Sequence, residues 1–186
     1  MRREWIMSSK PQQPDGIDQE LDDDSHTKSR YLLFKVGKEV FGTPLLQVRE
    51  IVKPQPLKLV PNTVDHFKGI INLRGEVVGV IDLGEKFGIE PHPSSIDQAL
   101  IVFDTKMGPL ATVVDYIESV SHIPDQDIET DPAIYSHVPL DYLIGVGKMD
   151  GQLIYLVTLQ SVLRDEELLR TKRETSDVLE RQKEAG

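Results

Sequence analysis

The segment Gly69-Ile70-Ile71-Asn72-Leu73-Arg74-Gly75-Glu76-Val77-Val78-Gly79-Val80-Ile81-Asp82-Leu83 recurs in altered form as Gly145-Val146-Gly147-Lys148-Met149-Asp150-Gly151-Gln152-Leu153-Ile154-Tyr155-Leu156-Val157-Thr158-Leu159. The two align without a gap. Gly69, Gly75 and Leu83 coincide with Gly145, Gly151 and Leu159, and six further pairs are apolar in both copies: 70/146, 73/149, 77/153, 78/154, 80/156 and 81/157. Each copy places a residue-glycine pair, Arg74-Gly75 or Asp150-Gly151, between runs rich in β-branched side chains, which predicts strand, tight turn, strand. One supersecondary unit is thus used twice. A body made of two like halves presents two related surfaces, which suits a linker between partners better than a single catalytic cleft.

The pattern extends outward from these units. Leu32, Phe34 and Val36 alternate with Tyr31, Leu33 and Lys35, and Gly37-Lys38 turns the chain into Val40-Phe41, a first hairpin. Pro44 to Val52 reads as a short helical turn or an extended segment, Val64 to Phe67 as one helical turn, and Leu83 to Gly88 as a short helix capped by Asp82 and stopped by glycine. Residues 90–97, with Pro91 and Pro93, join the halves. The second half restarts in the same order, with a strand at Leu100-Ile101-Val102-Phe103, a turn at Lys106-Met107-Gly108 and a strand from Leu110 to Ile117. A rough offset of 66 sets Val48 on Val114 and Ile51 on Ile117. Residues 124–141 read as a long surface connection. Leu159, Val162, Leu163 and Leu169 recur at helical spacing, predicting a C-terminal helix that docks by its first turns and frays beyond Arg170. The expected division is a disordered acidic tail over residues 1–29, a body over 30–164 with halves at about 31–96 and 97–163, and the C-terminal helix and tail over 165–186.

Composition narrows the function. The 186 residues carry a formal net charge of −10, so the whole chain lacks the basic footprint of a nucleic-acid binder or of a protein held on anionic lipid. Residues 31–96 hold eight basic and seven acidic side chains, whereas residues 97–163 hold two and ten, which makes the first half the expected docking face for an acidic or neutral partner. The absence of cysteine excludes disulfides, a thiolate nucleophile and zinc-thiolate sites, and agrees with a reducing cytoplasm. The opening Met1-Arg2-Arg3-Glu4-Trp5-Ile6-Met7 has too few apolar residues for a signal peptide, and no run reaches the length of a membrane span.

Catalytic and cofactor motifs are missing. Asp82 in Val80-Ile81-Asp82-Leu83-Gly84 superficially looks like an aspartic-protease signature, but Leu83 stands where a hydroxyl is required. Gly145, Gly147 and Gly151 miss the dinucleotide-binding spacing by one residue and lead into a strand, so no helix N-terminus is offered to a phosphate. His26, His66, His92, His122 and His137 show no paired ligand spacing. What stands out is Arg74 at a glycine-bounded turn and Glu50 in Val48-Arg49-Glu50-Ile51. An arginine fork beside Ile71, Leu73, Gly69 and Gly75 has the makings of an interface anchor, and Glu50 is expected within salt-bridge reach of it.

These motifs, from about Tyr31 to Leu163, resemble the CheW family of bacterial chemotaxis coupling proteins. Gly69-Ile70-Ile71-Asn72-Leu73-Arg74-Gly75 with Val80-Ile81-Asp82-Leu83 and Phe87-Gly88 carries most of the resemblance. Phe34, Val48-x-Glu50-Ile51, Leu59-Val60-Pro61, Val113-Val114-Asp115 and Ile144-Gly145 support it. The resemblance implies an all-β fold of two five-stranded, SH3-like β-barrel subdomains packed on a shared hydrophobic interface, with short helices. It also implies an adaptor without catalysis or cofactor, binding the cytoplasmic tip of methyl-accepting chemoreceptors and the CheW-like regulatory domain of the histidine kinase CheA. The implied setting is cytoplasmic, at receptor arrays. By position Val48, Glu50, Gly69, Asn72 and Arg74 match the family's partner-binding surface, and Ile71, Leu73 and Gly75 lie beside them. Gly79 and Gly84 depart from the family's usual proline and arginine, and no receiver or kinase domain accompanies the body. A CheW-like scaffold of another motility pathway is the alternative. A small barrel enzyme or ligand-binding domain would need a convergent polar constellation, and the spacing offers none.

Overall fold

The computed structural model describes residues 29–90, 97–106, 108–131, 138–163, 167, 173–177 and 180; the expected tail up to residue 28, most of the join between halves, and Leu169 lie outside them. The described strands are β1 (Arg30–Val36), β2 (Glu39–Pro44), β3 (Val48–Val52), β4 (Phe67–Leu73), β5 (Glu76–Asp82), β6 (Ala99–Thr105), β7 (Gly108–Val114), β8 (Tyr116–His122), β9 (Ile128–Glu129), β10 (Leu143–Met149) and β11 (Gln152–Val157). The two aligned segments are the hairpins β4–β5 and β10–β11, closed by two-residue turns between Leu73 and Glu76 and between Met149 and Gln152. Both central residues of each turn have positive φ: 54° and 92° at Arg74-Gly75, 50° and 79° at Asp150-Gly151. These are type I′ turns, whose twist matches that of the strands they join.

The halves of the chain exchange strands. One sheet runs β8-β1-β2-β11-β10-β9 and the other β3-β6-β7-β5-β4. The division at about residue 96 therefore separates two sequence halves but not two sheets, because each sheet takes strands from both. The pairing repeats in detail. Phe34 pairs with Ile117 as Phe103 pairs with Val48, and a bulge accompanies each pair, at Glu118 and at Arg49. The parallel pairs Tyr155–Phe41 and Leu156–Gly42 have counterparts in Gly79–Leu110 and Val80–Ala111. The offset for these first strands is thus 69, which corrects the rough 66: Val48 corresponds to Ile117, and Ile51 to Val120. The sequence leaves this register loose by three residues because β1 and β6 are buried on both faces, and a continuous apolar run carries no period to fix it.

That double burial also explains the core. Leu32, Phe34, Ile101 and Phe103 face a central cluster between the sheets, where the Phe41 ring stacks with Phe34 and Phe87 at centroid distances of 6.0 Å and tilts against Tyr155 at 5.6 Å. Tyr31 and Leu33 face a second cluster inside the curl of their own sheet, and Leu100 and Val102 a third inside the other. The shared interface and two smaller cores agree with the two SH3-like bodies expected. The barrels are not closed, however: β3 and β4 are the free edges of one sheet, and β8 and β9 those of the other.

Other local expectations divide. The short helix α1 (Leu83–Phe87) forms as read, with the Asp82 side chain accepting the Glu85 N–H at 3.0 Å and Gly88 closing it in the left-handed region. Pro44 to Val52 holds both alternatives, a 3-10 turn at Leu45–Gln47 and then β3. Val64 to Phe67 is a β-turn rather than a helical one, with the Phe67 N–H bonded to the Val64 carbonyl at 2.9 Å. The strand expected from Leu110 to Ile117 breaks at Asp115, whose carboxylate accepts the Gly37 N–H at 2.6 Å and so ties the β1–β2 turn to the start of β8. Within 124–141 lies β9, which pairs with β10 and covers its edge. Beyond Leu163 the described residues 167, 173–177 and 180 are helical.

Candidate docking surface

The open gap between β3 and β4 is bridged by side chains. Arg74 reaches from the turn to Glu50 on β3, with Nη2 to Oε2 at 3.1 Å, as expected from the sequence. A second clasp uses residues not anticipated: Arg49 donates to Glu76 at 2.6 Å and to Asp104 at 3.4 Å. The bulge at Arg49 turns this side chain outward toward the end of the β4–β5 hairpin. The hydrogen bond donated to Glu76, reinforced by the negative charges of Glu76 and Asp104, raises the Arg49 guanidinium above its ordinary value. Arg74 itself is 79% exposed, while Glu50 is only 21% exposed. The pair therefore presents a guanidinium to solvent and holds it from one side.

The turn that carries Arg74 is fixed by Asn72, whose Oδ1 accepts the Gly75 N–H at 2.8 Å. This contact offsets the cost of left-handed geometry at a non-glycine residue. Gly69 has a different task. The backbone of Lys58 bonds both ways to Ile70 at 2.9 Å, and a Cβ on Gly69 would sit 2.3 Å from the Lys58 carbonyl oxygen. Gly69 lets an extended segment cover the β4 edge, as Gly145 does for β9, where a Cβ would sit 2.7 Å from the Glu129 carbonyl oxygen.

The sequence-derived set is thus only partly a surface. Glu50, Asn72, Arg74 and Gly75 gather at the rim, and Val48 is half-buried against the central core. Ile71 and Leu73 are 3% and 7% exposed and belong to the inner cluster, so the apolar patch expected beside Arg74 is not made by them. Exposed aliphatic surface on these strands comes from Ile51 and Val77. Their counterparts in the other sheet, Val120 and Leu153, are exposed as well. At that second rim three of the charges change sign, while the acidic Glu50 and Glu76 correspond to Ser119 and Gln152. Glu118 stands for Arg49 and Lys35 for Asp104, forming the pair Lys35–Glu118 at 3.9 Å, and Asp150 stands for Arg74. Among the described residues no group of three or more His, Asp or Glu is arranged to hold a metal ion, and no helix is long and apolar enough to cross a membrane.

Two sheets that exchange strands around a common core, with charged rims at their open edges, define a body of paired SH3-like units. The CheW-like domain family model matches residues 30–167, and the chain belongs to that family. It is 30% identical over 136 residues to a chemotaxis protein CheW of Rhizobium meliloti, covering 73% of this chain and 88% of that protein. Among solved structures it is similar to the scaffolding protein TtCheW of Thermoanaerobacter tengcongensis, with a TM-score of 0.69 and 27% identity over 75% of this chain and 90% of that one. A shorter match, 36% identical over 88 residues, links 46% of the chain to 10% of a chemotaxis protein CheA of Borreliella burgdorferi.

Proposed function

We infer that this chain is a cytoplasmic, non-enzymatic adaptor that couples chemoreceptors to the histidine kinase CheA in chemotaxis signalling arrays. Its partners are the cytoplasmic tip of a methyl-accepting receptor and the CheW-like regulatory domain of the kinase. Neither nucleic acid nor direct membrane insertion has a part in this reading. The observation that carries it is the Arg74–Glu50 rim on a CheW-like body: an exposed guanidinium, oriented by a half-buried carboxylate, on a turn fixed by Asn72. Val48, Glu50, Asn72, Arg74 and Gly75 form the contact set, with Gly69, Ile71 and Leu73 supporting it from beneath.

The second rim gives a physical reason for arrays. An exposed Arg74 on one rim and an exposed Asp150 on the corresponding turn of the other let unlike rims of neighbouring molecules meet, a head-to-tail contact between like folds. Such heterologous contacts propagate or close into rings. Titration of the full chain against a receptor-tip fragment and the kinase regulatory domain tests the reading. Saturable binding to both is the expected result, and binding to neither would remove it.

A further inference from the structure

The two hairpins differ in one chemical respect at their tips. In the first, Asn72 Oδ1 accepts the Gly75 N–H at 2.8 Å and so fixes the plane of the peptide unit between Arg74 and Gly75. The aligned residue in the second hairpin is Lys148, whose side chain has no acceptor atom, and among the described residues the Gly151 N–H meets no hydrogen-bond acceptor. The peptide unit that follows Asp150 is therefore held only by the turn itself. Lys148, Asp150, Gly151 and Gln152 are all exposed, and a Cβ built on Gly151 would touch nothing. Among the described residues Asp150 is also the one aspartate that precedes a glycine.

An aspartyl side chain can close on the next main-chain nitrogen. For the Asp150 Cγ to reach the Gly151 nitrogen, Cβ and that nitrogen must come to the same side of the Cα–C bond, which turns the peptide unit over and converts the type I′ turn to type II′. Both turns join two strands through two residues, and both require positive φ at the first central position, already 50° at Asp150. Glycine at the second position accepts either geometry. The hairpin can thus reach the reactive arrangement without separating β10 from β11. We propose that Asp150-Gly151 is a site of succinimide formation and isoaspartate modification in the folded protein. The Gly151 amide gives its proton to solvent base and its nitrogen bonds to Cγ, while a carboxyl oxygen of Asp150 leaves as water. Water then adds back: at Cγ it restores aspartate, and at the Asp150 main-chain carbonyl it leaves Gly151 joined through the side chain, as isoaspartate. The product adds a methylene to a two-residue turn and moves its carboxylate. It falls on the rim that the adaptor reading assigns to a partner, but the chemistry does not rest on that reading. The first hairpin, with arginine before its glycine, has no such route.

Ageing the full-length protein in neutral heavy-oxygen water tests this, with peptide mapping and methyl transfer by an isoaspartyl methyltransferase as readouts. Each passage through the imide incorporates a heavy oxygen. The peptide holding Asp150 should therefore gain label and methyl-accepting sites faster than those holding any other aspartate of residues 29–163, while Asp15-Gly16 is followed on its own peptide. Lys148→Asn supplies the acceptor found in the first hairpin and should slow native conversion at Asp150 by at least about threefold, the scale of one net hydrogen bond. Lys148→Ala removes the charge without adding an acceptor and should not slow it, and in denaturant the three proteins should convert alike. No excess of label at Asp150 over the other aspartates would overturn the proposal. So would equal native rates in the parent and Lys148→Asn, since the free Gly151 N–H would then have no part in the reaction.

Discussion

Replacing Arg74 by alanine separates docking from folding. The pair it forms with Glu50 is 3.1 Å long, and the arginine is 79% exposed, so its loss should cost at most about 1 kcal/mol of stability. For a body of this size that lowers Tm by no more than about 4 °C. The turn should persist, because it is held by the Asn72–Gly75 bond and by left-handed geometry that alanine at 74 can still adopt at modest strain. An arginine anchoring an interface contributes about 2 kcal/mol or more to binding, or about 30-fold in Kd. Calorimetric titration against the receptor tip and the kinase regulatory domain should therefore show a large loss for at least one partner with little change in melting. Glu50→Ala should weaken the same partner, since it frees the guanidinium from its oriented position, and the double variant should lose less than the sum of the singles. Arg74→Lys should recover only part of the affinity, as a lysine cannot present a planar fork. Binding of Arg74→Ala within twofold of the parent for both partners would refute the assignment of the rim and move attention to Ile51 and Val77.

Individual contacts set the remaining outcomes. Gly69→Ala forces a Cβ to within 2.3 Å of a carbonyl oxygen at a φ of +139°, whereas Gly75→Ala meets open space at +92°; the first should melt about 8 °C or more below the parent and the second about half as far. Similar losses for both would show that strain, not the Lys58 approach, decides. Thr43 has a fully buried hydroxyl without a hydrogen-bond partner among the described residues, so the isosteric Thr43→Val should raise stability by about 1 kcal/mol in chemical denaturation, and a fall would reveal a partner for the hydroxyl. Burial foremost, and then Lys86, lower the His66 pKa against the opposing pull of Glu167, Asp65 and Glu85. The unfolded chain then binds this proton first, so the stability it confers is present above about pH 6.5 and is lost as pH falls through the lowered folded value. His66→Gln should flatten that part of the Tm profile, and an NMR titration of His66 with a midpoint above 6.5 would contradict the sign.

The parts of the fold legible in the sequence were those fixed by neighbouring residues. Arg74-Gly75 and Asp150-Gly151 announce two-residue hairpins because a residue-glycine pair suits the type I′ turn, whose twist joins such runs without splaying them. Asp82 and Gly88 announced α1 because each end of a short helix needs its own hydrogen-bond solution. The strand exchange was not legible. The parallel pairs β2–β11 and β5–β7 join segments with no local signal for each other, and only their burial in one core brings them together. At the rim, Glu50 and Arg74 could be paired from their setting, but Arg49 and its partners Glu76 and Asp104 depended on a bulge that period-two reading does not foresee. The same reading left Ile71 and Leu73 on the surface, whereas Gly69, Ile70 and Ile71 are buried in succession as the edge curls inward under Lys58. The contacts of Lys86 with His66 and Glu167, 20 and 81 residues away, had no signature in spacing at all.

The sign changes between the two rims bear on why two copies of one unit stay joined in a single chain. A duplicated body with identical rims would repel itself wherever like charges met, and a symmetric contact would end growth at a dimer. Here the backbone repeats down to its bulges at Arg49 and Glu118, while the side chains at those positions differ in sign. Asp104 and Lys35 share the change, so each rim keeps an internal ion pair, at 3.4 Å and 3.9 Å, that satisfies the body before any partner arrives. Arg74 and Asp150 at the two turns are exposed and differ in sign. Because each sheet draws strands from both halves, neither rim can be displaced without disturbing the core that supports the other. Strand exchange thus holds two related rims, different in sign at three positions, in a fixed relation, the arrangement that the proposed adaptor role calls for.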